Sequence, residues 1–351
     1  MRRALLTALL LLTGLLAVPT AASATPTLPL AWQLTPTGTD AQLRGLSVID
    51  RKVAWASGQR GTVLRTVDAG RTWQQVGPPD TGGLDFRDVE AFDARTAVVL
   101  SIGEGEQSRI YRTSDGGATW TESFRNTDPA AFYNCVAFFD ARNGLTVGDP
   151  VGGKFRVLST SDGGRSWTVM PSDGMPDALP GEYGFSASGQ CVTVAGKRDA
   201  WIATGGSATA RVLHSSDRGH TWTASDTPLA SSPSAGVFAV AFRDRHTGIA
   251  IGGDYENETN GADALALSGD GGRTWREPVT APAGYRSGVT YHPFLASLLL
   301  AVGPTGSDVT VDGGKRWYQF DDGGFDTVDC GWDGACWASG EKGRVARLHI
   351  G

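Results

Sequence analysis

Seven side chains in this sequence have the types needed to grip a polar ligand: Asp149, Glu182, Tyr183, Asp254, Tyr255, Arg286 and Asp308. Convergent carboxylates, tyrosines and a guanidinium are the material of a carbohydrate or peptide site. Two carboxylates a suitable distance apart also serve as the acid and base of glycoside hydrolysis. All seven lie in or beside strings rich in Gly, Pro and Asp, such as Gly148–Gly153 and Gly253–Glu258. Residue by residue, the plainer reading of such strings is a solvated turn. Metal chemistry is not expected. The sequence has no Cys-x-x-Cys pair, and its five histidines are scattered without ligand spacing. No Gly-x-Gly-x-x-Gly opens a helix, so no dinucleotide or other cofactor is expected either.

The elements that must hold these residues are announced by one eight-residue phrase, written six times. The copies are Thr66–Trp73, Thr113–Trp120, Thr160–Trp167, Ser215–Trp222, Ser268–Trp275 and Thr310–Trp317, at intervals of 42 to 55 residues. Each reads as a tight turn. Asp68, Asp115, Asp162, Asp217, Asp270 and Asp312 supply a carboxylate to the turn amides, Gly supplies positive φ, and the terminal Trp plugs the start of the next strand. A supersecondary unit repeated at this period is a propeller blade or a solenoid turn.

Before each phrase the first unit shows three short strands, Gly45–Asp50, Ala54–Gly58 and Thr62–Arg65, and a fourth follows the Trp. Four short strands per unit is the composition of a blade. A seventh unit, at residues 328–348, has three strands and no phrase. The missing outer strand is supplied by Ala31-Trp-Gln-Leu34, which resembles Thr72–Val76. The expected fold is therefore an all-β, seven-bladed propeller with four-stranded blades, one domain over residues 25–351, closed by its N-terminal strand. In such a ring the phrases lie on one face. The seven candidate ligand residues fall in connections on the other face, where function is expected, and the phrases are scaffold.

Residues 1–24 read as a secretory signal peptide: Arg2 and Arg3, an apolar run from Ala4 to Val18, and Ala22-Ser23-Ala24 as a cleavage site. The expected product is secreted or periplasmic, with no membrane span. Removing both arginines takes the formal charge from −6 to −8, which argues against a nucleic-acid partner. Export permits disulfides. Cys330 and Cys336 flank a hairpin-like turn and are expected to bridge. Cys135 and Cys191, at the starts of successive repeats, either bridge neighbouring inner strands or remain small buried thiols.

The recurring phrase resembles the Asp-box, or bacterial neuraminidase repeat. Seven such blades behind a signal peptide resemble the photosystem II assembly and stability factor propellers and their non-photosynthetic bacterial relatives. The resemblance spans the mature chain but rests on fold-making residues, and it implies a propeller that binds a partner protein and catalyses nothing; a monomer is expected. Sialidases resemble the chain only at the boxes; the nearest counterpart of their Arg-Ile-Pro phrase, Arg109-Ile110-Tyr111, leads into a box and reads as strand. Three functions stand in view. The first is a secreted, non-catalytic propeller that binds a protein or glycan through its loop-rich face. The second is an extracellular glycoside hydrolase using carboxylates on that face, and the third a structural module of an envelope assembly.

Overall fold

The computed structural model describes residues 29–351, so the signal peptide expected at residues 1–24 lies outside the described residues. Seven antiparallel sheets succeed one another along the chain. Their first strands are Leu43–Val48, Asp85–Ala91, Tyr133–Phe138, Val192–Ala195, Ala235–Phe242, Gly288–Tyr291 and Thr327–Cys330. Each touches the next, and the seventh touches the first, which closes a ring of seven blades about a central channel. Blade 7 is completed by Leu30–Thr35, which pairs antiparallel with Val345–Ile350 from Leu30↔Ile350 to Thr35↔Val345. Leu30 and Trp32 are buried there among Leu300, Val302, Phe325 and Val328. The Trp32 indole donates to Ser307 Oγ of blade 6 at 2.9 Å.

One blade departs from four strands. Blade 5 has three, and its outer segment shrinks to a single bridge, Leu267↔Arg276. Pro278 follows two residues later and has no N–H to extend the ladder.

The recurring phrases form identical turns. In each, the leading Ser or Thr hydroxyl donates to the Asp carboxylate and accepts the amide four residues on, as Thr113 does from Gly117. The carboxylate takes the amide four residues beyond itself, and in five copies the hydroxyl there too, as Asp115 does from Thr119. These bonds favour the charged form and hold the Asp115, Asp162 and Asp270 carboxyls down at about 2. Each turn also donates an amide to the hairpin joining the first two strands of its own blade. Ala69 to Lys52, Gly116 to Arg95, Gly163 to Arg142, Arg218 to Arg198, Gly271 to His246 and Gly313 to Ser297 are the six bonds. The Trp closing a phrase packs toward the preceding blade. Trp120 meets Trp55 edge-on at 6.5 Å, and Trp73 meets Trp337 at 5.9 Å.

Both cysteine pairs are bridged. Cys330–Cys336 closes the hairpin of blade 7, and Cys135–Cys191 ties the first strand of blade 3 to the entry of blade 4. No helix among the described residues is long and apolar enough to cross a membrane.

Candidate functional site

On the face opposite the recurring turns, the blade connections enclose one continuous groove. Its larger part, about 830 Å³, runs along the seam of blade 7 between Thr35–Thr39 and Glu341–Val345. A smaller part, about 330 Å³, opens over the channel mouth. The two share Glu258, Pro304, Asp326 and Glu341.

The groove owes its chemistry to a repeated irregularity. The first strands of blades 1, 2, 3 and 5 shift register at one equivalent point, between Leu43 and Gly45, Phe86 and Asp88, Tyr133 and Cys135, and Val237 and Ala239. A bulge leaves its extra residue out of the ladder. The four extra residues are Arg44, Arg87, Asn134 and Phe238. Asp326 occupies the matching position just before the first strand of blade 7. Blades 7, 1 and 2 thus give Asp326, Arg44 and Arg87 in succession, a charged wall.

Facing it is an aromatic wall. Phe185 stacks on Phe238 with centroids 3.9 Å apart, Tyr285 meets Phe238 at 4.7 Å, and Tyr255 lies edge-on to both phenyl rings just over 6 Å away.

Arg44 is incompletely satisfied. Its Nε lies 3.9 Å from Asp326 Oδ1, beyond hydrogen-bond reach, and is buried with no acceptor among the described residues. Arg344 of the same groove has its guanidinium 4.5 Å from the centre of the Phe325 ring, and its Nε too is buried without an acceptor. Arg87 is better held, by Asp85 and the Ser186 carbonyl. Burial, then repulsion from Arg44, pulls its pKa below the ordinary arginine value. Asp326 accepts from Gln42 at 3.0 Å, and burial pushes its carboxyl up to about 6 despite Arg44.

The seven residues singled out from sequence do not converge. Only Tyr255 lines the groove, exposed at 44%. Glu182 is buried; its carboxylate takes Arg211 Nε at 2.9 Å, Thr204 Oγ1 at 2.6 Å and the Leu179 amide at 2.8 Å. Arg286 and Asp308 are paired with one another in the interior at 2.6 Å. These three were expected in solvent-facing loops; the structure corrects that, because each is occupied by an internal partner. Asp149 accepts from Asn134 and the Gly184 amide, and burial raises its carboxyl to about 6. The Tyr183 hydroxyl donates to the Pro233 carbonyl. Asp254 caps its own turn through the Glu256 amide. The groove residues that sequence reasoning missed are Arg44, Arg87, Phe185, Phe238, Tyr285, Asp326 and Arg344. A signal was present: Leu43-Arg-Gly45 and Phe86-Arg-Asp88 put an arginine at the same place in two consecutive repeats. Among the described residues no cluster of His, Cys, Asp and Glu is arranged to hold a metal.

Several solved structures match this architecture over nearly the whole chain. YCF48 bound to D1 peptide superposes with a TM-score of 0.63 at 17% identity, covering 92% of this chain and 98% of that one. YCF48 from Cyanidioschyzon merolae gives 0.64 at 18%, covering 91% and 99%. The likeness is one of fold. A GH74 xyloglucanase from Xanthomonas campestris gives 0.63 at 17% and covers 91% of this chain, which matches 53% of that enzyme. No protein-family profile matches the sequence, and no curated protein matches it significantly.

Proposed function

We propose that the protein is an exported, non-catalytic propeller that captures an extended segment of a partner protein in the loop-face groove, with a carboxylate of that segment held by Arg44 and Arg344. The observation that carries this reading is the pair of groove guanidiniums whose buried Nε–H groups find no acceptor within the protein. A buried donor left unmet costs free energy, and a ligand carboxylate removes that cost with charge-assisted bonds. The aromatic wall of Phe185, Phe238, Tyr255 and Tyr285 offers apolar anchorage beside it. The D1 peptide carried by the YCF48 neighbour agrees with the proposal. The signal peptide reading and the two disulfides favour an oxidising compartment. The recurring turns, read as Asp-boxes, remain scaffold.

The test is fluorescence anisotropy with a library of acidic peptides, each with a free or an amidated C-terminus. Arg44→Ala and Arg344→Ala should each weaken capture roughly 10- to 100-fold, the worth of one or two hydrogen bonds to a charged group. Unchanged binding in both variants sinks the proposal. The rival is glycoside hydrolysis. Asp326, raised to about 6, has the protonation behaviour of a general acid. Release of reducing sugar from xyloglucan by the wild type, abolished in Asp326→Asn, would decide for it.

A further inference from the structure

The opposite face is not blank scaffold. The hairpins joining the first and second strands of blades 1 to 6 lie on the side of the recurring turns, as the six shared amide bonds fix, and the blade 7 hairpin joins them through the Trp332 amide, which donates to the Ile49 carbonyl. In blades 1 to 5 these hairpins present Lys52, Arg95, Arg142, Lys197, Arg198 and Arg245, all exposed and none in an ion pair among the described residues. The acids of the same hairpins are engaged locally, although Asp93 and Asp140 remain exposed. Asp50, Asp93, Asp140 and Asp244 each spend a carboxylate oxygen on two amides of their own turn. The turns on this face add six carboxylates and six cations, so hairpins and turns together hold fourteen Lys and Arg against twelve Asp, a small cationic excess on a protein of formal charge −6.

Blades 6 and 7 break the pattern together. Their hairpins carry no cation; they carry Phe294, Leu295 and Trp332, exposed at 66%, 51% and 70%. The two hairpins are adjacent: a Cβ placed on Gly334 would meet His292 and Phe294 at 3.2 Å. The Trp332 backbone is pinned although its side chain is exposed. It sits inside the Cys330–Cys336 loop, its amide donates to the Ile49 carbonyl, and the neighbouring Asp333 is clamped by the amide and guanidinium of Arg51. A backbone pinned on both sides of Trp332 lowers the ordering cost of presenting that side chain to a surface.

We propose that this face docks on an anionic lipid surface. Phe294, Leu295 and Trp332 enter the headgroup region, and the basic hairpins of blades 1 to 5 lie over the phosphates. Charge complementarity selects this occupant. Cations spread around a ring fit a plane of phosphates, whereas an apolar protein partner would use only the patch on blades 6 and 7. Aromatic side chains with polar edges favour the membrane interface, and each nearby Lys or Arg adds electrostatic attraction. The protein does not span the bilayer in this arrangement, and the groove faces away from it.

The experiment is co-sedimentation of the oxidised protein with vesicles of phosphatidylcholine alone, or with one third phosphatidylglycerol. Binding is expected to the anionic vesicles only, and to be lost in high salt. Trp332→Ala with Phe294→Ala, and separately Arg142→Glu with Arg198→Glu, should each lower the apparent affinity roughly tenfold or more while melting like the parent. Absence of binding to anionic vesicles at low salt overturns the proposal. So does equal binding to both vesicle types. A concentration-dependent dimer in size-exclusion chromatography that Trp332→Ala abolishes, without vesicle binding, assigns the patch to a second copy of this chain instead. Arg44→Ala, which tests the groove, should leave sedimentation untouched, so either proposal can fail alone.

Discussion

Glu182→Gln is the substitution whose outcome separates a ligand contact from a structural one. The Glu182 side chain is 0% exposed and that of its partner Arg211 is 9% exposed. Arg211 is held by both carboxylate oxygens and by the Asp177 carbonyl. Gln is nearly isosteric, so packing survives, but a guanidinium is left in the interior with no counter-charge. Breaking a buried pair in this way costs about 3–5 kcal/mol. A chain of this length has an unfolding entropy near 2 cal/mol/K per residue, so the melting temperature should fall by roughly 4–7 °C. Differential scanning calorimetry at pH 7 reads this directly. The double variant Glu182→Leu, Arg211→Met removes both charges and should recover most of the loss, because an apolar pair of similar volume often replaces a buried ion pair without cost. If Glu182→Gln melts within about 1 °C of the parent while peptide capture collapses, the buried-pair reasoning is refuted and Glu182 belongs to the binding site after all.

Trp32→Ala should destabilise by about 3–5 kcal/mol, since it empties the seam of blade 7 and leaves the buried Ser307 hydroxyl without its donor; an unchanged urea midpoint would show that the N-terminal strand does not close the ring. The pH profile should be peaked on the acid side. Burial raises the Asp88 carboxyl to about 8, and the neighbouring channel acids Glu90 and Asp329 are raised for the same reason. A raised carboxyl stabilises fully below its unfolded value near 4, and that stability is lost as pH climbs toward 8. The turn carboxyls held at about 2 act in the opposite sense, losing their contribution as pH falls below 4. The melting temperature should therefore rise from pH 8 to about 5 and drop below 4, with a shallower upper limb in Asp88→Asn; a steady rise from pH 5 to 8 contradicts this.

The fold was readable because its determinants are local. A turn such as Thr113–Trp120 is specified by eight consecutive residues, and six copies mark six blades, the seventh being recognised from the strand pattern of residues 328–348. The seam was readable for the same reason: Trp32 repeats the position of Trp73. The groove was not, because a bulge exists only once two strands have paired, and Arg44 or Arg87 looks in sequence like any polar strand residue. The internal pairs were hidden likewise. Glu182 meets Arg211 across 29 residues, and nothing near Glu182 announces a buried cation. Polar loop residues were read as exposed, and the long link from blade 3 to blade 4 folds back far enough to bury its own.

The closing strand also orders events in time. Leu30–Thr35 is made before any other strand of the ring, yet its partner Val345–Ile350 is made after all the others. Until then blade 7 has no outer strand, and Trp32 has neither Phe325 to cover it nor Ser307 to accept the hydrogen bond of its indole N–H. Successive blades can assemble on one another as synthesis proceeds, but the last step waits for the whole chain and must join segments more than 300 residues apart. Such long-range pairing is slow compared with hairpin formation. The open ring is thus an obligatory and comparatively long-lived species, with a sheet edge bare at each end of the gap. A chaperone that guards this protein would have its work concentrated at those two edges.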